Sequence, residues 1–343
     1  MALTRVLTLR ELNRATLARQ LLLERRRRSP KAVIERLVGM QAQAASGPYI
    51  GIWTRTASFR RESLERELRR GAVVKATVMR QTLHLLTRSD YALLRAALSE
   101  TNFPDQSEQA KRLAPLLRDF VGDRPVTTAE VLTHLEEVHG LGRFEALRAW
   151  RGARVRAHLL HHPETALWNA PPRGRFLAVD EPAQHDPTDA RAEIIRRYLA
   201  AFGPASRRDI GAWSMMHVPE IARALERLEP LPRLHDEQGR ELLDVPRAPL
   251  PAAEIPAAVR FLPKWDNVLL AWADRTRVLP EEYRKTVIRQ DGDVAQTFLV
   301  DGFVAGMWTV ENGGVVLEPF APLPRAARRE VEDEARRLEA FLA

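Results

Sequence analysis

Cysteine is absent from the 343 residues, which excludes disulfide bonds and thiolate metal sites. Long apolar runs are also missing, because no stretch approaches the roughly 18 residues that a membrane-spanning helix needs. The first residues, Met-Ala-Leu-Thr-Arg, do not form the apolar core of a signal peptide. We therefore expect a cytoplasmic, globular protein without a membrane partner, long enough for two or three modules.

Lysine is scarce, with five residues, so almost all of the basic charge is carried by arginine. The net charge is +8, which favours a polyanionic partner. Residues 1–100 hold 20 Lys and Arg against 8 Asp and Glu, whereas the remainder holds 33 against 37. Arginine-rich composition typical of GC-rich genomes explains part of the count but not this asymmetry. The N-terminal third is thus predicted to face the phosphates of double-stranded DNA, which would associate the protein with the nucleoid.

The pattern of apolar residues predicts a mainly α-helical fold with some β structure. In residues 1–100, three helices precede a two-stranded ribbon, which is the order of elements in a winged helix-turn-helix. A weaker pattern of this kind fills residues 101–185, and the clearest one fills residues 186–246. The sequence pattern of residues 257–343 is different: short strand-like segments are joined by Gly-containing turns, which predicts a small antiparallel β unit. An amphipathic pattern at the end of this region predicts a C-terminal helix.

Local signals place individual elements within these modules. Three helix starts are predicted from capping residues, at Thr8 with Glu11, at Ser29 with Pro30, and at Thr127 with Glu130. The expected helices are residues 9–23, 59–69, 89–98, 144–160, 190–202, 206–214, 218–228 and 324–342. The expected C-terminal strands are residues 269–272, 286–290, 294–300, 303–310 and 315–317. Residues 186–189 are expected to form a linker, and residues 168–179 a hairpin bent around Pro171 and Pro172.

Two glutamines, Gln41 and Gln43, stand out after a helical segment that carries Val33, Ile34 and Leu37. On a regular helix, residues two apart point about 200° away from each other. The two amides converge on one ligand only if the chain is frayed or extended there, which the following Gly-Pro favours. The alternative is that both are polar residues on a solvated helix end.

Three sequence motifs in order give the chain a family resemblance. The first motif is Gln-Ala-Gln followed by Gly-Pro-Tyr-Ile-Gly-Ile-Trp-Thr-Arg and then, from residue 79, by Met-Arg-Gln-Thr-Leu-His-Leu-Leu. The second motif is Phe-Leu-Pro-Lys-Trp-Asp-Asn-Val-Leu-Leu from residue 261. The third motif is Asp-Arg-Thr-Arg-Val-Leu from residue 274. Together they resemble the AlkZ family of DNA glycosylases, which are built from tandem winged helices and carry a Gln-apolar-Gln signature. The resemblance covers residues 5–320.

The resemblance implies that Gln41 and Gln43 are catalytic and that the substrate is N7-alkylguanine in double-stranded DNA, including bulky adducts and interstrand crosslinks made by genotoxic natural products. Gln rather than Asp at the second position matches the crosslink-resistance branch. An amide is not a usable base at neutral pH, but it can orient a water. Such weak assistance suffices when the leaving purine is already cationic, because amide dipoles can stabilise the cationic sugar. The expected enzyme is a monofunctional, monomeric glycosylase without cofactor or metal.

Contacts to DNA are expected from Arg55, Arg80 and Gln81, and from the hairpin tip at Asp291 and Gly292, with a wing or plain surface role as the alternative. The run of arginines at residues 25–28 is either a phosphate contact or a solvated loop. A base tied to the opposite strand cannot rotate into a closed pocket, so an open cleft is expected.

Other functions remain open from the sequence. His158, His161 and His162 lie close together but lack an acidic partner in register, so a polar helix end is favoured over a metal site. A non-catalytic DNA-binding protein, either a regulator or a lesion-sequestering protein, would bind DNA without releasing bases. A protein-interaction scaffold would bind DNA weakly and without the usual dependence on salt.

Overall fold

The computed structural model describes residues 5–102, 108–170, 174–180, 184–228 and 230–343, with backbone only for residues 99–102. Within these residues, helices alternate with strands that form three sheets of three, four and six strands. The expected class of mixed α and β structure is thus confirmed. No described helix is both long enough and apolar enough to cross a membrane.

The N-terminal region contains most of the residues that matter for the site. Its elements are β1 (Val6–Leu7), α1 (Leu9–Arg19), α2 (Pro30–Arg36), β2 (Met40–Gln41), α3 (Gly47–Arg55), α4 (Arg61–Arg69), β3 (Val73–Thr77), β4 (Leu83–Thr87) and α5 (Arg88–Asn102). The predicted capping box of Thr8 and Glu11 is confirmed, as is the cap of Ser29 with Pro30 at the helix start. Helix α1 ends earlier than expected, because Leu21 takes a left-handed backbone with φ of 58°.

The second region is joined to the first by a shared sheet. Its elements are α6 (Glu108–Val121), β5 (Val126–Thr127), α7 (Thr128–His139), α8 (Arg143–Arg156), β6 (Leu159–His161) and β7 (Arg175–Ala178). The capping box at Thr127 is confirmed. Strand β7 pairs with β6 and β5 rather than within the expected hairpin, and Pro171 and Pro172 lie outside the described residues. The six strands run in the order β2-β4-β3-β6-β7-β5, with Lys75 of β3 opposite His161 of β6.

The third region shows three helices followed by a hairpin, as expected for its sequence. Its elements are α9 (Pro187–Phe202), α10 (Arg207–Ser214), α11 (Val218–Leu225), β8 (Arg233–Asp236) and β9 (Glu241–Leu243). The predicted linker is wrong: the Asp186 side chain accepts hydrogen bonds from the backbone N–H groups of Thr188 and Asp189, so it caps α9. Strand β1 pairs in parallel with β8, which ties the N-terminus to this region.

The C-terminal region is an antiparallel sheet covered by one long helix. Its elements are β10 (Arg260–Leu262), α12 (Arg284–Val287), β11 (Thr297–Val300), β12 (Phe303–Glu311), β13 (Gly314–Pro319) and α13 (Arg325–Leu342), with the strands in the order β10-β11-β12-β13. Two expected strands are wrong. Residues 269–272 begin at the last residue of a 3-10 turn at Asn267–Leu269 and are largely buried by packing rather than by sheet pairing, which a run of apolar residues cannot distinguish. Residues 286–290 begin inside α12 and are mostly exposed, with Val287 buried and Ile288 in an isolated bridge with Val294.

The main hydrophobic core joins these regions around α9. Tyr198 and Phe202 of α9 are fully buried, and they pack against Trp213 and Trp272. The Trp272 indole N–H donates to the carbonyl oxygen of Phe202 at 3.1 Å. Helix α1, strands β3 and β4, and residues 261–272 therefore pack around one hydrophobic core. This packing holds residues 261–272 in place beside Gln41.

Candidate active site

The two glutamines do not lie on a helix. Helix α2 ends at Arg36, and Gly39 then takes a φ of 96°, which a side chain would not tolerate without strain. Gln41 lies in β2 directly opposite His84 of β4, and the backbone N–H of Ala42 still donates to Leu83 at 2.7 Å. Strand β2 ends at Gln41, and Gln43 lies in the bend that follows. The helical geometry that would point the two side chains apart is thus absent, and their convergence on one ligand stays a prediction.

The two amides are held in different ways. Gln41 is 8% exposed, and its Oε1 is buried with no hydrogen-bond partner among the described residues. Gln43 is exposed, and its Oε1 accepts a hydrogen bond of 3.0 Å from the backbone N–H of Leu83. That bond orients the Gln43 amide so that its two N–H donors remain for a ligand. Gln41 thus offers a buried acceptor, and Gln43 offers exposed donors.

His84 gives Gln41 an uncharged neighbour. Its imidazole is 1% exposed, and burial, followed by the charge of Arg80, lowers the pKa of His84 to about 3. The ring is therefore neutral at pH 7. Its Nδ1 lies 3.0 Å from the carbonyl oxygen of Thr82, which can only accept, so Nδ1 carries the proton. Directly opposed residues on paired strands have Cβ atoms about 5 Å apart, which places this ring beside the Gln41 side chain.

The segment from Lys264 to Asn267 supports the glutamine loop from the other side. The Asn267 side-chain amide donates to the Gly39 carbonyl at 2.8 Å. A Cβ built on Gly47 would lie 3.9 Å from the carbonyl oxygens of both Gln41 and Lys264, so these two segments meet at the start of α3. Gly47 and Pro48 begin this helix, whereas the sequence suggested that they end one.

Arg55 is not available to DNA, which corrects the expected phosphate contact. It is fully buried, and its guanidinium donates to the two carboxylate oxygens of Asp266 at 2.8 and 2.7 Å. Its remaining donors go to the carbonyl oxygens of Gln20 and Gly51. Asp266 also caps the following turn by accepting from Val268 N–H at 3.1 Å. Arg55 is therefore a structural residue that fixes α3 to the 261–270 motif.

The hairpin tip between β3 and β4 turns Arg80 inward and Gln81 outward. Both residues take left-handed backbone angles, with φ of 51° and 58°. Arg80 donates to the carbonyl oxygen of Trp213 at 2.8 Å, and burial lowers the pKa of Arg80 to about 10. One guanidinium nitrogen of Arg80 is therefore used within the protein, and the expected phosphate contact by Arg80 stays a prediction. Gln81 is exposed at the tip, so its contact with DNA stays a prediction.

The turn at Asp291 and Gly292 lies next to the supporting segment. Both residues are exposed, and the Gly292 carbonyl accepts a hydrogen bond of 2.9 Å from the indole N–H of Trp265. The Lys264 ammonium lies 3.0 Å from each carboxylate oxygen of Asp293. Tertiary structure thus joins this turn to Gln41 through residues 264 and 265. Whether the turn enters a groove stays a prediction.

Other sequence features lie away from the glutamines. Asp274 of the third motif lines a cavity of about 470 Å³ that contains neither glutamine. Arg25 is paired with Glu334, whereas Arg27 and Arg28 are exposed. His161 packs on the Phe176 ring at 4.6 Å, and burial lowers the pKa of His161 to about 3. The described residues contain no group of three His, Cys, Asp or Glu side chains placed to hold a metal.

Sequence reasoning missed the residues that surround the glutamine loop. His84, Lys264 and Asn267 belong to the family motifs, but nothing in their local sequence patterns shows that they meet at one loop. The one usable signal was that the motifs occur together, since segments that share a site are separated here by 40 to 228 residues.

Comparison with known proteins gives a consistent result. The family described as AlkZ-like, DNA glycosylase AlkZ-like, matches residues 34–341. A curated relative from Streptomyces sahachiroi, named interstrand DNA cross-link repair glycosylase, is 27% identical over 353 aligned positions that cover 92% of each chain. The solved structure of Streptomyces sahachiroi DNA glycosylase AlkZ matches with a TM-score of 0.82, covering 98% of this chain and 96% of that chain at 24% identity. At that identity the structural likeness shows the fold alone.

Proposed function

The chain belongs to the AlkZ-like DNA glycosylase family, and from that premise we propose that it releases N7-alkylguanine from double-stranded DNA by hydrolysis of the glycosidic bond. The resemblance seen in the three motifs is thereby confirmed at the level of the family. The proposal extends to bulky adducts and interstrand crosslinks, because the curated relative is named for crosslink repair. We further propose that the helical modules are winged helices and that the protein acts as a monomer.

The chemistry needs little from the protein, because the lesion is already activated. An N7-alkylguanine carries a positive charge, so its glycosidic bond breaks through an oxocarbenium-like state. Two tasks remain, which are to hold the attacking water and to stabilise the developing charge on the sugar. Oriented dipoles in a site with little water perform both tasks without a proton transfer to the protein.

The observation that carries the proposal is the unpartnered Oε1 of Gln41. Buried polar atoms are nearly always hydrogen-bonded, and leaving one without a partner costs about 1–3 kcal/mol. This oxygen is buried, and the loop that carries it is held on two sides. Strand β4 pairs with it on one side, and the Asn267 amide donates to it on the other. Other buried side-chain atoms of the described residues share this property, among them Gln20 Oε1, so the position of Gln41 in the family motif is what assigns this oxygen to function. We assign the oxygen to the attacking water and to the cationic sugar.

Gln43 has the complementary role in this proposal. Because its Oε1 is bound to Leu83 N–H, its exposed amide N–H groups face outward as donors. We assign them to a phosphate or to the carbonyl oxygen of the departing guanine. Gln43 is exposed, whereas the Oε1 of Gln41 is buried, so of the pair only Gln43 is open to solvent. The open cleft that a crosslinked base requires stays a prediction.

The test is incubation with a duplex containing N7-methylguanine and with a duplex carrying an N7-linked interstrand crosslink, followed by detection of abasic sites. We expect base release from both duplexes. Gln43→Ala should keep the affinity for DNA and lose most of the base release. A protein that binds both duplexes tightly but releases no base would instead be a regulator or a lesion-sequestering protein. Weak binding that does not change with salt would indicate a scaffold.

A further inference from the structure

Lys264 and Asp293 form a charge pair beside the glutamine loop. The Lys264 ammonium lies 3.0 Å from both oxygens of the Asp293 carboxylate and 5.3 Å from the centre of the Trp265 ring. Trp265 takes a left-handed φ of 55°, and its indole N–H donates to Gly292, so the two segments are held together. Arg289, at 3.6 Å from Asp293, and Asp291 complete a turn with two cations and two carboxylates.

The position of this pair is set by backbone contacts. The carbonyl oxygens of Lys264 and Gln41 both lie 3.9 Å from a Cβ built on Gly47. Asn267, three residues further on, donates to Gly39, two residues before Gln41. The main chains of Lys264 and Gln41 thus both lie beside Gly47 at the start of α3.

Two of the basic groups around this loop carry no net charge, although residues 1–100 hold 20 Lys and Arg against 8 Asp and Glu. Arg55 is paired with Asp266 and His84 is neutral at pH 7, whereas Arg80 keeps a charge that lowers the pKa of His84. A cationic purine and a cationic sugar are repelled by any nearby unpaired cation, and at about 10 Å this repulsion still matters near a protein surface.

We propose that Asp293 determines specificity for a cationic lesion by neutralising Lys264 next to Gln41. This inference rests on the proposed function and adds the electrostatic reason why the site accepts a positively charged base. Without the carboxylate, Lys264 would still favour DNA phosphates but would disfavour a cation at the reaction centre. The two residues should therefore have effects of opposite sign, which a purely structural ion pair would not show.

The test uses Asp293→Asn, Lys264→Met and the double variant. Asp293→Asn should lower kcat/KM for N7-methylguanine release about three- to tenfold, a size expected for one unit charge at this separation. Lys264→Met should match or exceed the wild type, and the double variant should return to within about threefold of it. A second readout needs no turnover: the ratio of affinities for duplexes with a cationic pyrrolidinium and a neutral tetrahydrofuran abasic analogue should fall only in Asp293→Asn.

Lys111 and Glu108 provide the matched control, because they form a Lys–carboxylate pair of 2.6 Å on α6 in the second region. Lys111→Met and Glu108→Gln should leave both readouts unchanged. Equal losses in Asp293→Asn and Lys264→Met would show a structural pair and overturn the inference alone. Weaker binding of Lys264→Met to both analogues, without recovery in the double variant, would make Lys264 a phosphate contact and also overturn it. If the wild type released no base, the proposed function would fail and this inference with it.

Discussion

Replacement of Gln41 by methionine should make the protein more stable and inactive. Methionine has nearly the same length and shape as glutamine but carries no amide. The Gln41 side chain is 8% exposed, and its Oε1 is buried without a partner among the described residues. Removing such an acceptor relieves a penalty of about 1–3 kcal/mol. We expect a net gain of about 1 kcal/mol, because the variant also loses the favourable packing of the amide.

The size of the thermal shift follows from the length of the chain. At about 2.1 cal/mol/K per residue, unfolding a chain of 343 residues has an entropy of about 0.7 kcal/mol/K at the midpoint. A gain of about 1 kcal/mol therefore raises Tm by about 1–2 °C. Activity should move in the opposite direction, since removal of one oriented dipole from a site of this kind lowers kcat by about 10²–10³-fold.

The assay is single-turnover release of N7-methylguanine from a duplex, read as alkali-labile abasic sites, with Tm measured on the same samples. Gln20→Met is the matched control, because Gln20 is also a buried glutamine whose Oε1 has no partner among the described residues, while its amide donates to the Ala201 carbonyl at 2.7 Å. It should keep base release per folded molecule. Retention of more than a tenth of the wild-type rate by Gln41→Met would refute the assignment of Gln41. A fall in Tm of several degrees in Gln41→Met would show that the Gln41 Oε1 has a hydrogen-bond partner in the wild type.

Two further predictions concern buried charges. Asp266→Asn should destabilise the protein by about 3–5 kcal/mol in urea unfolding, because it leaves the fully buried Arg55 without its carboxylate. A loss of stability under about 1 kcal/mol would contradict the conclusion that the buried Arg55 depends on Asp266 for its charge partner. Burial lowers the pKa of Lys75 from 10.5 to about 8, so the unfolded state binds more protons between these values and wild-type stability should rise with pH there. The Lys75 ammonium also donates to the Thr165 carbonyl at 2.9 Å, so Lys75→Met should be about 2 kcal/mol more stable than the wild type at pH 7 after the loss of that hydrogen bond, and it should lose the advantage by pH 10.5. A stability difference that does not change with pH would be incompatible with a burial penalty.

Features that depend on neighbouring residues were predictable from the sequence. The caps at Thr8, Ser29 and Thr127 are formed by side chains within three residues of the backbone groups that they bind. A sequence stretch of four residues therefore contains all the information needed to predict each cap. The hairpin of the third region follows in the same way from its Gly-containing turn. The requirement that Gln41 and Gln43 lie on extended chain was also a local geometric argument.

Contacts between distant segments were decided only by the tertiary structure. Arg55 and Arg80 look like surface cations in a basic region, yet one is neutralised by Asp266, 211 residues away, and the other binds the Trp213 carbonyl, 133 residues away. Residues 269–272 have the composition of a strand but are buried without sheet partners. The sequence by itself determined the local elements, the charge asymmetry and the glutamine signature. The fold decided which cations remain exposed and what surrounds Gln41, because burial and pairing depend on chain segments that no local pattern identifies.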